Sequence, residues 1–227
     1  AWLDSVDAIP TTSSFRTMRA DVRLPIQPDP TRPSGLTAPM VAAVLGLGAI
    51  VAVLAVATAP MFDLDRFAVV KELALVAAAA IAGLIVLCRA ERIELGVGEL
   101  LLGAFLGLSV ISALLATNHW VAVRAVAVSL SGGAIYFAAR FAGSGRAQRI
   151  LAWLLVAAVA SGSASGLLQA YGWGWDVLAN TRAPGGTLGN RNFMAHLTVV
   201  GLPIAGWLTA TATRRAGVVA GAGAIGM

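Results

Sequence analysis

A glycine-rich segment near the C-terminus combines residue types that could bind an anion. It reads GGTLGNRN from Gly185 to Asn192, and Arg182 stands shortly before it. Three glycines permit positive φ and close backbone approach, and Asn190 or Asn192 could cap a following helix. Such a helix N-terminus presents free N–H groups and a positive dipole end. With Arg182 and Arg191 added, the segment predicts an outward-facing anion cradle; the alternative is a flexible turn before a capped helix.

Two further ionisable residues, His196 and Arg124, fall within or beside long apolar runs. His196 lies four residues after Asn192, so the two side chains share a helix face. We interpret His196 either as a functional group facing the bundle interior or as a hydrogen-bonding partner of a neighbouring helix. Arg124 has no adjacent carboxylate in the sequence. Its expected partner is therefore an outward-facing anion or the phosphates of the lipids.

The elements that must position these residues are apolar blocks separated by short charged stretches. Of the 227 residues, 58% are hydrophobic and 12% are charged, whereas soluble domains are about a quarter charged. This composition excludes an ordinary soluble globule and predicts an all-α, polytopic membrane helix bundle. The single cysteine, Cys88, excludes an intramolecular disulfide and a thiolate metal cluster. We expect Cys88 to be a packing residue at the inner end of the second helix.

Uncharged runs predict six complete transmembrane helices from residue 40 onward. A seventh apolar run, Ala216 to Met227, has only twelve residues. We therefore expect a truncated seventh helix, and a chain that is the N-terminal part of a larger membrane domain. The six expected spans are Met40 to Ala59, Leu73 to Cys88, Leu100 to Thr117, Ala125 to Ala139, Ile150 to Ala170 and Asn192 to Thr213.

Residues 1–38 form a Pro-rich tail that is distinct from the transmembrane domain at 39–227. The tail has no apolar run that could span, and the prolines between Pro25 and Pro39 predict an extended linker. The tail is either disordered or contains a short cationic helix on the membrane surface. Eleven of the sixteen Lys and Arg residues fall on its side of the membrane. The positive-inside rule therefore places the N-terminus in the cytoplasm, and the net charge of +5 is a topology signal rather than a sign of nucleic-acid binding.

Motifs of several enzyme classes are absent from the sequence. It has no phosphate-binding loop with Lys-Ser or Lys-Thr, no His-Glu-x-x-His, no nucleophile elbow and no pair of carboxylates inside an expected span. Hydrolases and ion pumps therefore lose support. The longest outer connection opens with Tyr171, Trp173 and Trp175, which form either an interfacial aromatic belt or a surface for glycan stacking.

The glycine-rich segment resembles the O-antigen ligase and O-antigen polymerase family, bacterial inner-membrane enzymes of lipid-linked glycan transfer. That family carries Gly-Thr-Phe/Leu-Gly-Asn-x-Asn-Phe/Tyr at the start of a helix that ends near a proline, here Pro203. Lys71 and the stretches 112–124 and 168–172 show weaker similarity. The position of Arg191 is commonly proline in such sequences, so the charge here departs from the pattern. The matching residues are Gly186, Thr187, Leu188, Gly189, Asn190, Asn192 and Phe193.

The resemblance implies transfer of a glycan from an undecaprenyl-pyrophosphate carrier to lipid A core, to another glycan or to a protein, without a metal or another cofactor. Outward arginines would stabilise the leaving pyrophosphate. The catalytic residues are expected in a large periplasmic loop beyond Met227, so this chain alone would be inactive. The expected substrate-binding residues are Arg124, Arg182, Gly189, Asn190, Arg191, Asn192 and His196.

Two other functions remain open at this point. In a transporter or flippase subunit, Arg124, Arg191 and His196 would line a pathway. The first, second and fifth spans consist almost entirely of Ala, Val, Leu, Gly and Ser, which favours close helix packing over a water-filled route. A purely structural membrane subunit, with Gly and Ala faces that bind partner helices, is the third possibility.

Overall fold

The computed structural model describes residues 36–57, 67–89, 95–142, 145–173, 178, 183–212 and 215–226. Every regular element within these ranges is helical, as the composition predicts. A 3₁₀ turn, Gly186–Leu188, precedes the sixth α-helix. The α-helices are α1 (Thr37–Leu54), α2 (Val69–Arg89), α3 (Val97–Leu114), α4 (His119–Phe141), α5 (Gly145–Ala170), α6 (Arg191–Ala210) and α7 (Arg215–Gly226).

Six of these helices, α1 to α6, have the length and apolar composition of membrane spans. They have 18 to 26 residues, which corresponds to about 27 to 39 Å at a rise of 1.5 Å per residue. The chain is therefore a multi-pass helical membrane protein, and the prediction of six spans is confirmed. The seventh apolar run also forms a helix, α7, of 12 residues.

Small residues form the contacts between the helices. In space the described helices neighbour one another in the order α3, α4, α2, α1, α5, α6, α7, and α4 also touches α1. Gly48 of α1 lies directly against Ala78 of α2, and Gly201 of α6 against Val159 of α5. Such contacts suit a bilayer, where association depends on close packing rather than on a hydrophobic driving force. The main buried cluster consists of Val41, Ala42, Leu45, Ala82, Val86, Ala138, Ala142 and Ala147.

Helix α1 departs from its expected bounds at both ends. It begins at Thr37, so Pro39 belongs to the first helical turn and not to an extended linker. A proline is tolerated there because the first N–H groups of a helix have no intrahelical partner. The helix ends at Leu54 rather than at Ala59. Of the expected tail at 1–38, residues 1–35 lie outside the described residues.

Charged residues lie inside the helices instead of marking their ends. The second and fourth spans are short by a strict count of uncharged residues, and the flanking Lys71, Arg124 and Arg140 are expected to extend them by about a turn at each end. The observed helices have 21 and 23 residues and include these three charged residues. At one end of the bundle, Arg124 of α4 pairs with Glu72 of α2. At the other, Arg140 of α4 pairs with Glu99 of α3. A count of uncharged residues therefore underestimates the length of a helix whose terminal charged residues form ion pairs with neighbouring helices.

One smaller expectation is wrong. Cys88 lies one residue before the end of α2 but is exposed, because the buried stripe of α2 follows Ala78, Ala82 and Val86 on another face. The sixth helix, expected over Asn192 to Thr213, runs from Arg191 to Ala210 and passes through Pro203, so it departs only from the pattern of the resembled family. A proline removes one backbone donor without ending a membrane helix when neighbouring helices hold the backbone.

Candidate functional site

The glycine-rich segment lies at the end of the bundle where α1 and α5 end and α2, α4 and α6 begin. We call this the loop end. Its centre is Thr187, which is 7% exposed. The Thr187 hydroxyl donates to the carbonyl oxygen of Val53 in α1 at 2.8 Å, and its N–H donates to the Ser165 hydroxyl of α5 at 3.1 Å. The segment is thus hydrogen-bonded to α1, 134 positions earlier in the sequence, and to α5, 22 positions earlier.

The backbone donors of this segment are used within the protein. The N–H groups of Gly185 and Gly186 both donate to Oε1 of Gln169, each at 2.9 Å. The N–H of Leu188 donates to the Gly185 carbonyl, and that of Gly189 to the Gly186 carbonyl. These groups are not available to an external anion, so the prediction of a glycine cradle is wrong for this stretch of backbone. The segment is a packed, internally bonded cap rather than a flexible turn.

Close packing explains why two of these positions are glycine. Gly189 has φ +70°, and a Cβ there would lie 2.6 Å from the ring of Phe67. Gly186 has φ +49°, and a Cβ there would lie 2.7 Å from the backbone nitrogen of Gly166. Both positions therefore need a residue that adopts a left-handed conformation and has no side chain.

The start of α6 follows directly from this cap. Asn190 is the N-cap, and its side-chain oxygen accepts from the N–H of Asn192 at 2.9 Å. This settles which of the two asparagines caps the helix. Arg191, the first residue of α6, is exposed, as are Asn192 and His196. His196 therefore shares a face with Asn192 as expected, but the face points away from the described helices and not into the bundle.

Arg124 is held by a carboxylate that its sequence neighbours do not reveal. Its Nε and Nη2 atoms donate to the two oxygens of Glu72 at 2.5 and 3.0 Å, and each side chain is one-third exposed. The expectation that an outward-facing anion is its natural partner is therefore wrong. The pair is bidentate, the geometry in which a guanidinium binds a carboxylate most strongly.

Lys71 is the important residue at the loop end that the candidate residues omit. Its ammonium group donates to the carbonyl oxygens of Ala52, Val53 and Ala55 at 2.9, 2.8 and 2.8 Å. These carbonyls end α1 and have no intrahelical donor of their own, and a cation there is favoured by the helix dipole. A lysine in the first turn of a span that follows a helix end is the sequence signal that points to such a cap.

The structure brings together only some of the expected binding residues. Gly189, Asn190, Arg191, Asn192 and His196 lie on one short stretch at the loop end. Within the described part of the chain, α4, which carries Arg124, does not contact α6. Arg182 lies outside the described residues.

The described residues at the loop end can bind a ligand by charge and hold it in place. Arg191 presents a planar, permanently charged guanidinium at the positive end of a helix dipole, on backbone that is fixed by hydrogen bonds. A phosphate-bearing ligand is the class of molecule that this arrangement would bind. No protein-family model matches this chain, and no match is found among curated proteins or solved structures.

Proposed function

We propose that this membrane domain takes part in glycan transfer of the O-antigen ligase or polymerase type in the bacterial inner membrane. The donor is a glycan on an undecaprenyl-pyrophosphate carrier, and the acceptor is lipid A core, another glycan or a protein. The N-terminus lies in the cytoplasm and the loop end faces the periplasm. The proposal rests on the Gly-Thr-Leu-Gly-Asn-x-Asn segment and on the six apolar helices of the chain.

The observation that carries this proposal is the exposed Arg191 at the start of α6, on a cap held by Gln169, Ser165 and Val53. When the bond between glycan and carrier breaks, negative charge develops on the leaving pyrophosphate. A guanidinium fixed near that charge stabilises the transition state without reorganising during the reaction. A rigid cap with an exposed arginine therefore suits this role better than a mobile loop would.

The neighbouring residues have supporting roles in this proposal. Asn190 fixes the start of α6, and Asn192 and His196 extend the polar face beyond Arg191. Arg124 is not assigned to the carrier, because Glu72 engages its guanidinium. Its role is to hold α4 against α2.

Replacing Arg191 with alanine in the complete protein is expected to reduce glycan transfer by about 10- to 150-fold, the effect of losing one charge-assisted contact to phosphate in the transition state. Lysine should restore part of the activity, because it supplies charge without the planar fork. Glutamine should restore little. Transfer is measured against the amount of protein in the membrane.

The matched control is Arg146→Ala, an exposed arginine in the first turn of α5 at the opposite end of the bundle. It should transfer as well as the wild type. Wild-type transfer by the Arg191→Ala variant would refute the assignment of this residue to the carrier pyrophosphate.

Reporter fusions at Arg146 and Gly186 are expected to report opposite sides of the membrane, with Gly186 in the periplasm. Arg146 lies in the first turn of α5, and Gly186 packs against Gly166 near the other end of that helix. The 26 residues of α5 span about 39 Å. An alkaline phosphatase and a fluorescent reporter at each site distinguish the two sides. Signals from the same side at both positions would contradict the topology and the periplasmic location of the loop end.

A further inference from the structure

The first turn of α2 carries two adjacent charged residues, and each binds a different neighbouring helix. Lys71 reaches the end of α1, where it donates to three carbonyl oxygens. Glu72 reaches α4, where it binds Arg124. All three N–H donors of an ammonium group match the three carbonyl contacts. All the donors of the Lys71 ammonium group are therefore used in capping the end of α1.

One of those carbonyls connects Lys71 to the glycine-rich cap. The oxygen of Val53 accepts from Lys71 Nζ and from the Thr187 hydroxyl, both at 2.8 Å. Thr187 is buried and is also bonded to Ser165 of α5. Three residues later in the chain, Asn190 caps α6. The carbonyl oxygen of Val53 is thus the point where α2, α1 and the segment before α6 meet.

We propose that Lys71 is a positioning residue that fixes the start of α6, and with it Arg191, through the end of α1. The ammonium group holds the last α1 carbonyls, and the Val53 carbonyl in turn holds Thr187. The link to Arg191 rests on the proposed function, whereas the link to the start of α6 does not. Lys71 acts through backbone groups and does not itself contact the carrier.

A lysine suits this position for geometrical reasons. Its compact ammonium group places three donors around a single nitrogen, which matches carbonyls that converge at the end of a helix. The guanidinium of arginine is planar and presents its donors as a fork. Methionine has similar length but no donor, so it would leave the carbonyls at the end of α1 without a partner in an environment where unpaired groups are costly.

A cysteine reporter under the cap measures the positioning directly. Met194, in the first turn of α6, is 9% exposed and packs beneath Gly166 and Gly186. In a Cys88→Ser background, Met194→Cys should react slowly with a membrane-impermeant thiol reagent. Lys71→Met removes three hydrogen bonds, and the net free energy of one of them already shifts a local opening equilibrium about tenfold, so the labelling rate should rise by at least about tenfold. Arg89→Met, at the other end of α2, is the matched control and should leave the rate unchanged.

A milder variant tests the same link if Lys71→Met fails to accumulate. Thr187→Val removes the hydroxyl that binds Val53 and leaves the Lys71 cap intact. It should also raise the labelling rate. Its control is Thr198→Val on α6, where the hydroxyl donates to the Ala195 carbonyl of the same helix. Unchanged labelling in Lys71→Met would overturn the proposal, and where that variant does not accumulate, unchanged labelling in Thr187→Val would overturn it.

Activity of the complete protein distinguishes positioning from general destabilisation. If Lys71 acts through Arg191, the Lys71→Met and Arg191→Ala losses in transfer should not multiply, and the double variant should transfer like Arg191→Ala alone. Losses that multiply would overturn the link to Arg191. If Arg191→Ala alone has no effect, the assignment of Arg191 to the carrier fails, and the labelling experiment still decides whether Lys71 fixes the start of α6.

Discussion

Arg140→Ala is expected to destabilise the protein by roughly 3 kcal/mol, the lower end of the cost of breaking a buried ion pair. Its partner Glu99 is 6% exposed, and the same carboxylate accepts from the Tyr136 hydroxyl at 2.8 Å and from the Gly96 N–H at 2.7 Å. Removing Arg140 leaves a buried negative charge with only neutral partners. We use the lower end of the range for buried ion pairs because the Arg140 side chain is itself one-third exposed.

A double variant separates charge from packing at this site. Adding Glu99→Gln to Arg140→Ala removes the uncompensated charge, so the double variant should be more stable than Arg140→Ala by at least about 1 kcal/mol. Thermal unfolding in detergent gives the order of stabilities. Arg89→Ala, which removes an exposed arginine at the end of α2, is the control and should be nearly neutral. A double variant no more stable than Arg140→Ala would show that the buried charge is not the cause.

Gly186→Ala is expected to destabilise the protein by about 2 to 5 kcal/mol. A left-handed conformation costs a residue with a Cβ about 1 to 2 kcal/mol, and overpacking a buried site adds about 1 to 3 kcal/mol. Both apply, since Gly186 has φ +49° and a Cβ would lie 2.7 Å from the Gly166 nitrogen and 3.0 Å from the Met194 methyl group. The melting temperature in detergent should fall by several degrees.

Gly107→Ala on α3 is the matched control for this substitution. A Cβ at Gly107 meets nothing within 4 Å, and the residue lies in an α-helix. This variant should be neutral or slightly stabilising, because alanine is the better helix former. If the two alanine variants melted at the same temperature, the cap around Gly186 would not be packed as described.

Local patterns in the sequence are sufficient to predict the helices. Apolar runs predict all six spans, and an asparagine before a helical run correctly predicts the cap at the start of α6. Both features depend on residues close in the chain. The bounds of the spans are less accurate, because charges such as Arg124 and Glu72 become part of a helix once they pair across the bundle.

The site depends on contacts that no local pattern contains. Glu72 and Arg124 are separated by 52 positions, and Thr187 and Val53 by 134. A glycine-rich run before a helix is compatible with both an anion cradle and a packed cap. Gln169 and Ser165 of α5 decide between them by occupying the backbone donors. The exposed position of His196 likewise follows from which face of α6 packs against α5 and α7, and not from its spacing alone.

The two arginines of α4 also bear on how the chain enters the membrane as it is made. Glu72 and Glu99 leave the ribosome before either Arg124 or Arg140, so α2 and α3 reach the insertion machinery with a carboxylate in the first turn that has not yet met its arginine partner. Helix α4 then supplies a guanidinium to each, one at either end. We therefore expect α2, α3 and α4 to insert into the membrane as one unit, because α4 carries the partner of each carboxylate.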